Sequence, residues 1–448
     1  MNIQQAQMPE GDARNLPKGW EIKKFGEVYD VRDGTHDSPK YVKEGYALIT
    51  SKNLKNDSLN YDKVKYITEQ DYININKRSK VDIGDILFAM IGTIGNPIVI
   101  KNEPDFAIKN VALFKVSKNQ DSYFLKYYLD SSTVIDRMFK DAKGATQKFV
   151  GLSYLRNFKI PLPPLPEQQR IVSILDKAFA AIDQAKANAE QNLKTAKELF
   201  ESYLQGVFEK KGDDWEETLL KEVCELKSGT TISPKLERNE GDVLYIKVGD
   251  MNLPNNEIEI NTSTRFVNSN EIKLRQIIPE GSIIFPKRGG AIATNKKRKI
   301  VSPTIVDLNT MAIIPSSRID KDYFFHWFQL FDLMSISNGA NIPQINNYSF
   351  DEVYIPFPKS LEVQQIIVRQ LDSLRDETQK LEAVYQTKMD DLEELKKSIL
   401  QKAFAGELNM SELGFDGLKD DRILEKDKTE ILQSSNPKNH NPDKRIKG

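Results

Sequence analysis

The stretch 371–399, LDSLRDETQKLEAVYQTKMDDLEELKKSI, decides the architecture of this 448-residue chain. Leu371, Leu374, Thr378, Leu381, Tyr385, Lys388, Leu392, Leu395 and Ile399 follow one another in alternating steps of three and four. That spacing places them on one stripe of a long helix, the seam of a coiled coil. A shift of about 196 residues finds a second seam in Leu175, Ala178, Ile182, Ala185, Ala189, Asn192, Ala196, Leu199 and Tyr203. One seam is small and the other large, so their volumes complement each other. Asn192 and Lys388 share one polar position, the kind that fixes register at some cost in stability. Leu175, Ile182, Leu199, Tyr203, Leu371, Leu381, Tyr385, Leu392, Leu395 and Ile399 are therefore the candidate residues of a helix pair and its subunit interface. Two helices packed separately on their own domains is the competing reading. It fits poorly with about 40 proline-free residues, because a globular helix averages about 12.

Outward from the seams, the whole chain is written twice. Trp20-Glu21 falls on Trp215-Glu216, Gly34-Thr35 on Gly229-Thr230, and Ser38-Pro39-Lys40 on Ser233-Pro234-Lys235. After a drift of a few residues, Gly84, Ile86 and Phe88 match Gly281, Ile283 and Phe285. Gly144-Ala145 then meets Gly339-Ala340, and Ile160-Pro161 meets Ile355-Pro356. Short runs of Ile, Val, Tyr and Phe punctuated by Gly, Asn, Asp and Pro predict an α+β domain in each copy. A proline-rich hinge follows, where missing amides and a fixed φ are expected to stop any regular element.

The expected organisation is a flexible N-terminus over 1–15, an α+β domain over 16–160, and a hinge and long helix over 161–212. A second domain over 213–355, a second hinge and helix over 356–411, and a largely disordered tail over 412–448 complete it. The apolar-poor tail carries one short segment, Leu413 to Leu418, that is a candidate to dock on the first domain. A 40-residue helix spans about 60 Å. If each domain begins and ends at one place, the second helix runs back along the first, giving an antiparallel pair with a pseudo-twofold axis.

Composition excludes several classes of function. Lys and Arg number 64 against 65 Asp and Glu, so the net charge of -1 gives no bulk attraction to nucleic acid, and any such site rests on local charge. A single cysteine, Cys224, rules out an intrachain disulfide, and the separated His36, His326 and His440 rule out the usual zinc spacing. No apolar run is long enough to span a bilayer, so the expected location is the cytoplasm, with no membrane partner.

The hinge and helix start Ile160-Pro-Leu-Pro-Pro-Leu-Pro-Glu-Gln-Gln-Arg-Ile-Val172 and the segments Leu16-Pro-Lys-Gly-Trp20 and Asp33-Gly-Thr-His-Asp-Ser-Pro-Lys-Tyr41 resemble the specificity (S) subunits of type I restriction-modification systems. The resemblance covers about 16–408. It implies two target recognition domains, each reading half of a bipartite sequence in double-stranded DNA. It further implies two methyltransferase subunits, and restriction subunits in the full complex, bound around the helices. S-adenosylmethionine, ATP and magnesium would belong to those partners, with no cofactor bound by this chain. The second copy departs from the pattern in its hinge, Pro356-Phe-Pro-Lys-Ser360, and its loop, Ser228-Gly-Thr-Thr-Ile-Ser-Pro-Lys235.

The residues alone yield no catalytic set. There is no phosphate loop, dinucleotide fingerprint or nucleophile elbow. Asp214 with Glu225 and Lys227 is a loose magnesium-nuclease pattern, and a protein-only coiled-coil adaptor is the third possibility. DNA contacts have better candidates. Residues 16–161 carry a charge of about +6, with Lys77, Arg78 and Lys80 clustered. In the second copy Lys287, Arg288, Lys296, Lys297, Arg298 and Lys299 crowd together around Gly289-Gly290, a pattern suited to phosphates. The recurring loop contributes Thr35, His36 and Lys40, and Thr230 and Lys235, although a plain turn explains it equally well. Gln147 with Lys148, and Gln344, stand before the hinges, and glutamine can bond adenine N6 and N7 together. His326, set among Tyr323, Phe324, Phe325 and Trp327, reads as a core residue.

Overall fold

The computed structural model describes residues 16–339 and 341–408. The expected N-terminal arm, the tail and its Leu413–Leu418 segment lie outside the described residues. The chain divides into two compact units, one of 1–189 with 386–448 and the other of 190–385. Each contains one α+β domain and parts of both long helices, α1 (Leu165–Glu209) and α2 (Leu361–Ala405).

In the first unit, an antiparallel sheet runs in the order Asp30–Asp33, Val111–Lys115, Ile86–Ala89, Gly95–Val99. A three-stranded sheet, Lys65–Ile67, Tyr46–Ile49, Phe106–Ile108, carries one parallel pair. Ile86, Phe88, Ala112 and Phe114 face the helices Ser122–Asp130 and Ser132–Asp141, and the alternate Leu87, Ala89, Val111 and Leu113 form a core on the opposite face. Both faces are covered, which is why these strands are continuous apolar runs. The second unit repeats the plan with five strands, Cys224–Ser228, Thr310–Pro315, Ile283–Pro286, Arg298–Ile300 and Glu259–Ile260, and a three-stranded sheet around Val243–Ile246.

The hinges correct the expectation that proline stops all regular structure. Lys159–Leu162 is a strand paired antiparallel with Glu21–Lys24, and Tyr354–Pro358 pairs with Trp215–Leu219. Proline is tolerated because these are two-stranded ribbons, where one side of each strand needs no ladder bond. Each domain therefore starts and ends on the same ribbon. Pro166 sits in the first turn of α1, where the missing amide has no intrahelical partner to lose.

The two helices are antiparallel in each unit. In the first, Asp183 faces Lys396 at 4.0 Å and Lys186 faces Glu393 at 2.6 Å, so numbers rise along α1 as they fall along α2. In the second, Lys197 faces Glu382 at 3.9 Å, while Leu204 and Phe208 pack with Val368 and Leu371. Leu175, Ile182, Leu371, Tyr385, Leu392 and Ile399 are buried within the chain, Leu381 and Tyr203 partly so. Two seam residues are exposed within the chain. Leu199 and Leu395 are 39% and 37% exposed, and the buried positions are instead Leu204 and Phe208 on α1 and Leu400, Ala403 and Phe404 on α2. Phe208 packs edge-on against Tyr323, and Phe404 against Phe124 and Tyr128, so the C-terminal ends of the two helices bury a face against the domains.

Candidate nucleic-acid interface

Both domains build the same loop frame. Gly34 and Gly229 pass so close to the backbones of Ile108 and Asp307 that a Cβ would run into those carbonyls. The next amides, of Thr35 and Thr230, donate to Ile108 O at 3.0 Å and Val306 O at 2.9 Å. The recurring Gly-Thr pair is thus a backbone crossing. A second pair of loops is also repeated. The amides of Gly92 and Gly289 donate to Lys148 O and Pro343 O, both at 2.8 Å, and those of Val150 and Ile345 donate to Met90 O at 3.0 Å and Lys287 O at 2.9 Å. Reciprocal bonds close the hairpins between Lys143 and Phe149 and between Asn338 and Gln344. Gly92 and Gly289 have φ of 78° and 77°, which side chains rarely adopt.

In the first domain, buried Asp33 accepts from Arg78 and lies 2.9 Å from Nε2 of His36, whose Nδ1 is 2.8 Å from Asn110 Oδ1. Lys109 fixes the rest of the loop, its Nζ donating to the carbonyls of His36 and Asp37 and to Ser38 Oγ at 2.6–3.1 Å. Lys77 donates to Asn74 Oδ1, Lys80 pairs with Asp82 at 3.3 Å, and Lys40 is exposed. Gln147 and Lys148 are exposed on the hairpin, with the Gln147 amide lying over Gly92.

The second domain corrects the basic run 296–299. Lys297 is 1% exposed, its Nζ donating to Gln329 O and Phe331 O beneath the ring of Phe328. Burial pushes its pKa down to about 7. Arg298 bonds Lys297 O and Met251 O and is likewise shifted down by burial. Lys299 pairs with Glu259 at 3.0 Å and Asp322 at 2.9 Å. These three cations are internal braces: Lys297 and Arg298 are held by carbonyls and Lys299 by carboxylates of the same domain, with Arg298–Ile300 an inner strand of the sheet. Lys296, half-buried, donates to Asn252.

The exposed cations lie elsewhere. Exposed Arg288 pairs through its backbone with Gln344, while half-buried Lys287 donates to Ser228 Oγ at 3.1 Å, its pKa lowered by burial and then by neighbouring Arg288. Lys273 and Arg275, missed in the sequence, flank Leu274 on a turn where Leu274 is 86% exposed. Lys227 Nζ donates to Ile277 O at 2.9 Å, and Gln276 Nε2 reaches Thr230 Oγ1 at 3.4 Å, so this turn is tied to the Gly-Thr loop. Lys235 is exposed on the same loop. Asn347 Nδ2 bonds Leu226 O at 3.5 Å, bringing the segment after the hairpin to the same strand end. One surface thus gathers Lys273, Arg275, Lys287, Arg288, Thr230 and Gln344. The amide density of 338–347 was the available signal for Asn338, Asn346 and their neighbour Tyr348.

Asp214, Glu225 and Lys227 make no metal centre: Lys227 is engaged with Ile277 O, and the described residues hold no group of three or more His, Cys, Asp or Glu suited to a metal. His326 is 2% exposed, with Nε2 2.9 Å from Asp372 Oδ1 on α2, and this bond is the largest cause holding the Asp372 pKa low. No helix among the described residues is long and apolar enough to cross a membrane.

Comparison with known proteins agrees with the duplication. The chain is 23% identical over 426 residues to the putative type I restriction enzyme MjaX specificity subunit of Methanocaldococcus jannaschii, covering 88% of this chain and 95% of that one. It is 22% identical over 437 residues to the EcoKI specificity subunit of Escherichia coli K12, covering 88% and 90%. The fold resembles the crystal structure of the HsdS subunit from Thermoanaerobacter tengcongensis, with TM-score 0.59 at 19% identity over 88% of this chain and 98% of that one. A structure from a study of assembly and conformational transition in the type I R-M system gives TM-score 0.71 at 20% identity, covering 88% and 99%. The family model of the type I restriction modification DNA specificity domain matches twice, at 17–194 and 212–388, and the chain belongs to that family.

Proposed function

We propose that this chain is the DNA-reading subunit of a type I restriction-modification assembly, each α+β domain reading one half of a bipartite target. The carrying observation is the repeated frame: equivalent glycines and backbone bonds hold both sets of loops, while the side chains they present differ. His36, Arg78, Gln147 and Lys148 stand in one domain, and Lys273, Arg275, Arg288 and Gln344 in the other. A constant frame with different polar tips suits two domains that read different bases on one plan. The chain acts without chemistry of its own. Methyltransferase subunits, two in number, dock around the helices, and restriction subunits join the full complex in the cytoplasm. Those partners supply the sites for S-adenosylmethionine, ATP and magnesium. The test is reconstitution: a purified methyltransferase partner should methylate DNA at defined sequences only with this chain present. Equal methylation without it would contradict the proposal, as would DNA cleavage by the chain and magnesium alone.

A further inference from the structure

The hairpin of the second domain carries a polar array that its counterpart lacks. The phenol oxygen of Tyr348 accepts from Asn338 Nδ2 and from Asn346 Nδ2, each at 3.0 Å. Asn346 Oδ1 accepts in turn from Gln344 Nε2 at 3.1 Å, so the Asn346 amide joins Gln344 to the phenol. The Asn346 backbone amide donates to Ser349 Oγ at 3.1 Å, holding the turn that presents the ring. Tyr348 is nevertheless 62% exposed, and the array adjoins Arg288, which bridges to Gln344. At the matching positions the first domain has Phe149, Gly151 and Ser153 in place of Gln344, Asn346 and Tyr348.

A free hydroxyl can either donate or accept. Here both lone-pair directions are taken by amides, so the one remaining function of the group is to donate its proton outward. A side chain locked as a donor discriminates, since an acceptor satisfies it and a donor facing it leaves two unpaired hydrogens. In the major groove the keto oxygens, guanine O6 and thymine O4, accept at the place where adenine and cytosine carry amino donors, and the purine N7, an acceptor in adenine and guanine alike, lies apart from it.

We propose that Tyr348, held as an obligate donor by Asn338 and Asn346, is a specificity-determining residue that selects a keto base, guanine or thymine, at one position of the target. This rests on the DNA-reading function proposed above. Gln344 acts through Asn346 and is a positioning residue.

The experiment uses the full-length chain bound to its methyltransferase partner, with fluorescence anisotropy on the native target and on every single base-pair substitution of it. In the native complex, changing a specified base should cost about tenfold or more in affinity, and the Tyr348 position should accept guanine and thymine while penalising adenine and cytosine by that factor. Tyr348→Phe keeps the exposed ring and removes only the hydroxyl. It should leave one position of one half-site where all four base pairs bind within about threefold of each other, with the other half-site unchanged. Asn346→Ala, which frees the hydroxyl to accept, should relax the same position. Native penalties at every position in Tyr348→Phe would overturn the proposal, and so would an equal loss of affinity for target and unrelated DNA. A native complex that discriminates no base pair would overturn the DNA-reading function itself, a different result from native discrimination that survives Tyr348→Phe.

Discussion

The backbone amide of Asp121 donates to Oε1 of Gln168 at 3.0 Å, and that of Asp320 donates to Oε1 of Gln364 at 2.7 Å. Each glutamine is 1% exposed or less and lies in the first turn of a long helix. Each also sends its Nε2 to a hinge carbonyl, Pro163 O or Pro358 O, at 2.8 Å. Asp121 and Asp320 cap the domain helices Ser122–Asp130 and Lys321–Leu330 through their side chains. One buried amide therefore joins hinge, long helix and domain helix, once in each unit.

Gln168→Leu removes a donor and an acceptor from a buried joint and should destabilise the first unit by about 2–3 kcal/mol. Hydrogen exchange should show the Asp121 amide losing protection while the amides of Val111–Lys115 keep theirs. Unchanged protection at Asp121 would show that the joint does not depend on the glutamine.

Lys297 sets a pH dependence of known sign. Its folded pKa of about 7 lies below the ordinary lysine value of 10.5, so above pH 7 the unfolded chain holds the extra proton. Stability from this group therefore rises with pH between about 7 and 10.5. From pH 7 to 9 the second unit should gain about 2 kcal/mol relative to Lys297→Met. Parallel chemical denaturation profiles for the two proteins across that range would contradict the buried assignment.

Leu392 is 5% exposed and Leu395 37%, although both belong to the heptad pattern. Leu392→Asp should cost several kcal/mol by stripping a carboxylate of water in an apolar contact, and Leu395→Asp under about 1 kcal/mol. Thermal unfolding of the two variants side by side distinguishes them.

The exposed cations should carry the salt dependence that the buried ones cannot. Replacing Lys273, Arg275 and Arg288 with Ala in the partner-bound complex should flatten the log affinity against log salt slope by about 3 units. Lys297→Met should change that slope by well under 1 unit. The opposite order would return the phosphate contact to 296–299.

The duplication, the long helices and the α+β character were legible because each depends on spacing. A heptad or a repeated glycine survives in the sequence whatever packs against it. Burial of charge was not legible: Lys297 and Lys296 are adjacent, and only the carbonyls of Gln329 and Phe331, distant in sequence, decide which faces inward. Leu204 and Phe208 lie off the heptad pattern because the end of α1 packs on the second domain, Phe208 against Tyr323, and a seven-residue pattern reports only the helix partner. Lys273, Arg275 and Tyr348 lie far apart in sequence or in unpatterned turns, and only the side-chain bonds that tie those turns to Thr230 and Leu226 bring them to one surface.

The central claim is that two domains on one frame specify two separate blocks of DNA sequence. Its most direct test is sequencing of methylated bases in DNA from cells that co-express this chain with its methyltransferase partner. The expected result is one motif of two specified blocks separated by an unspecified spacer, with Tyr348→Phe altering one block alone. A single continuous block, or methylation without any motif, would contradict it.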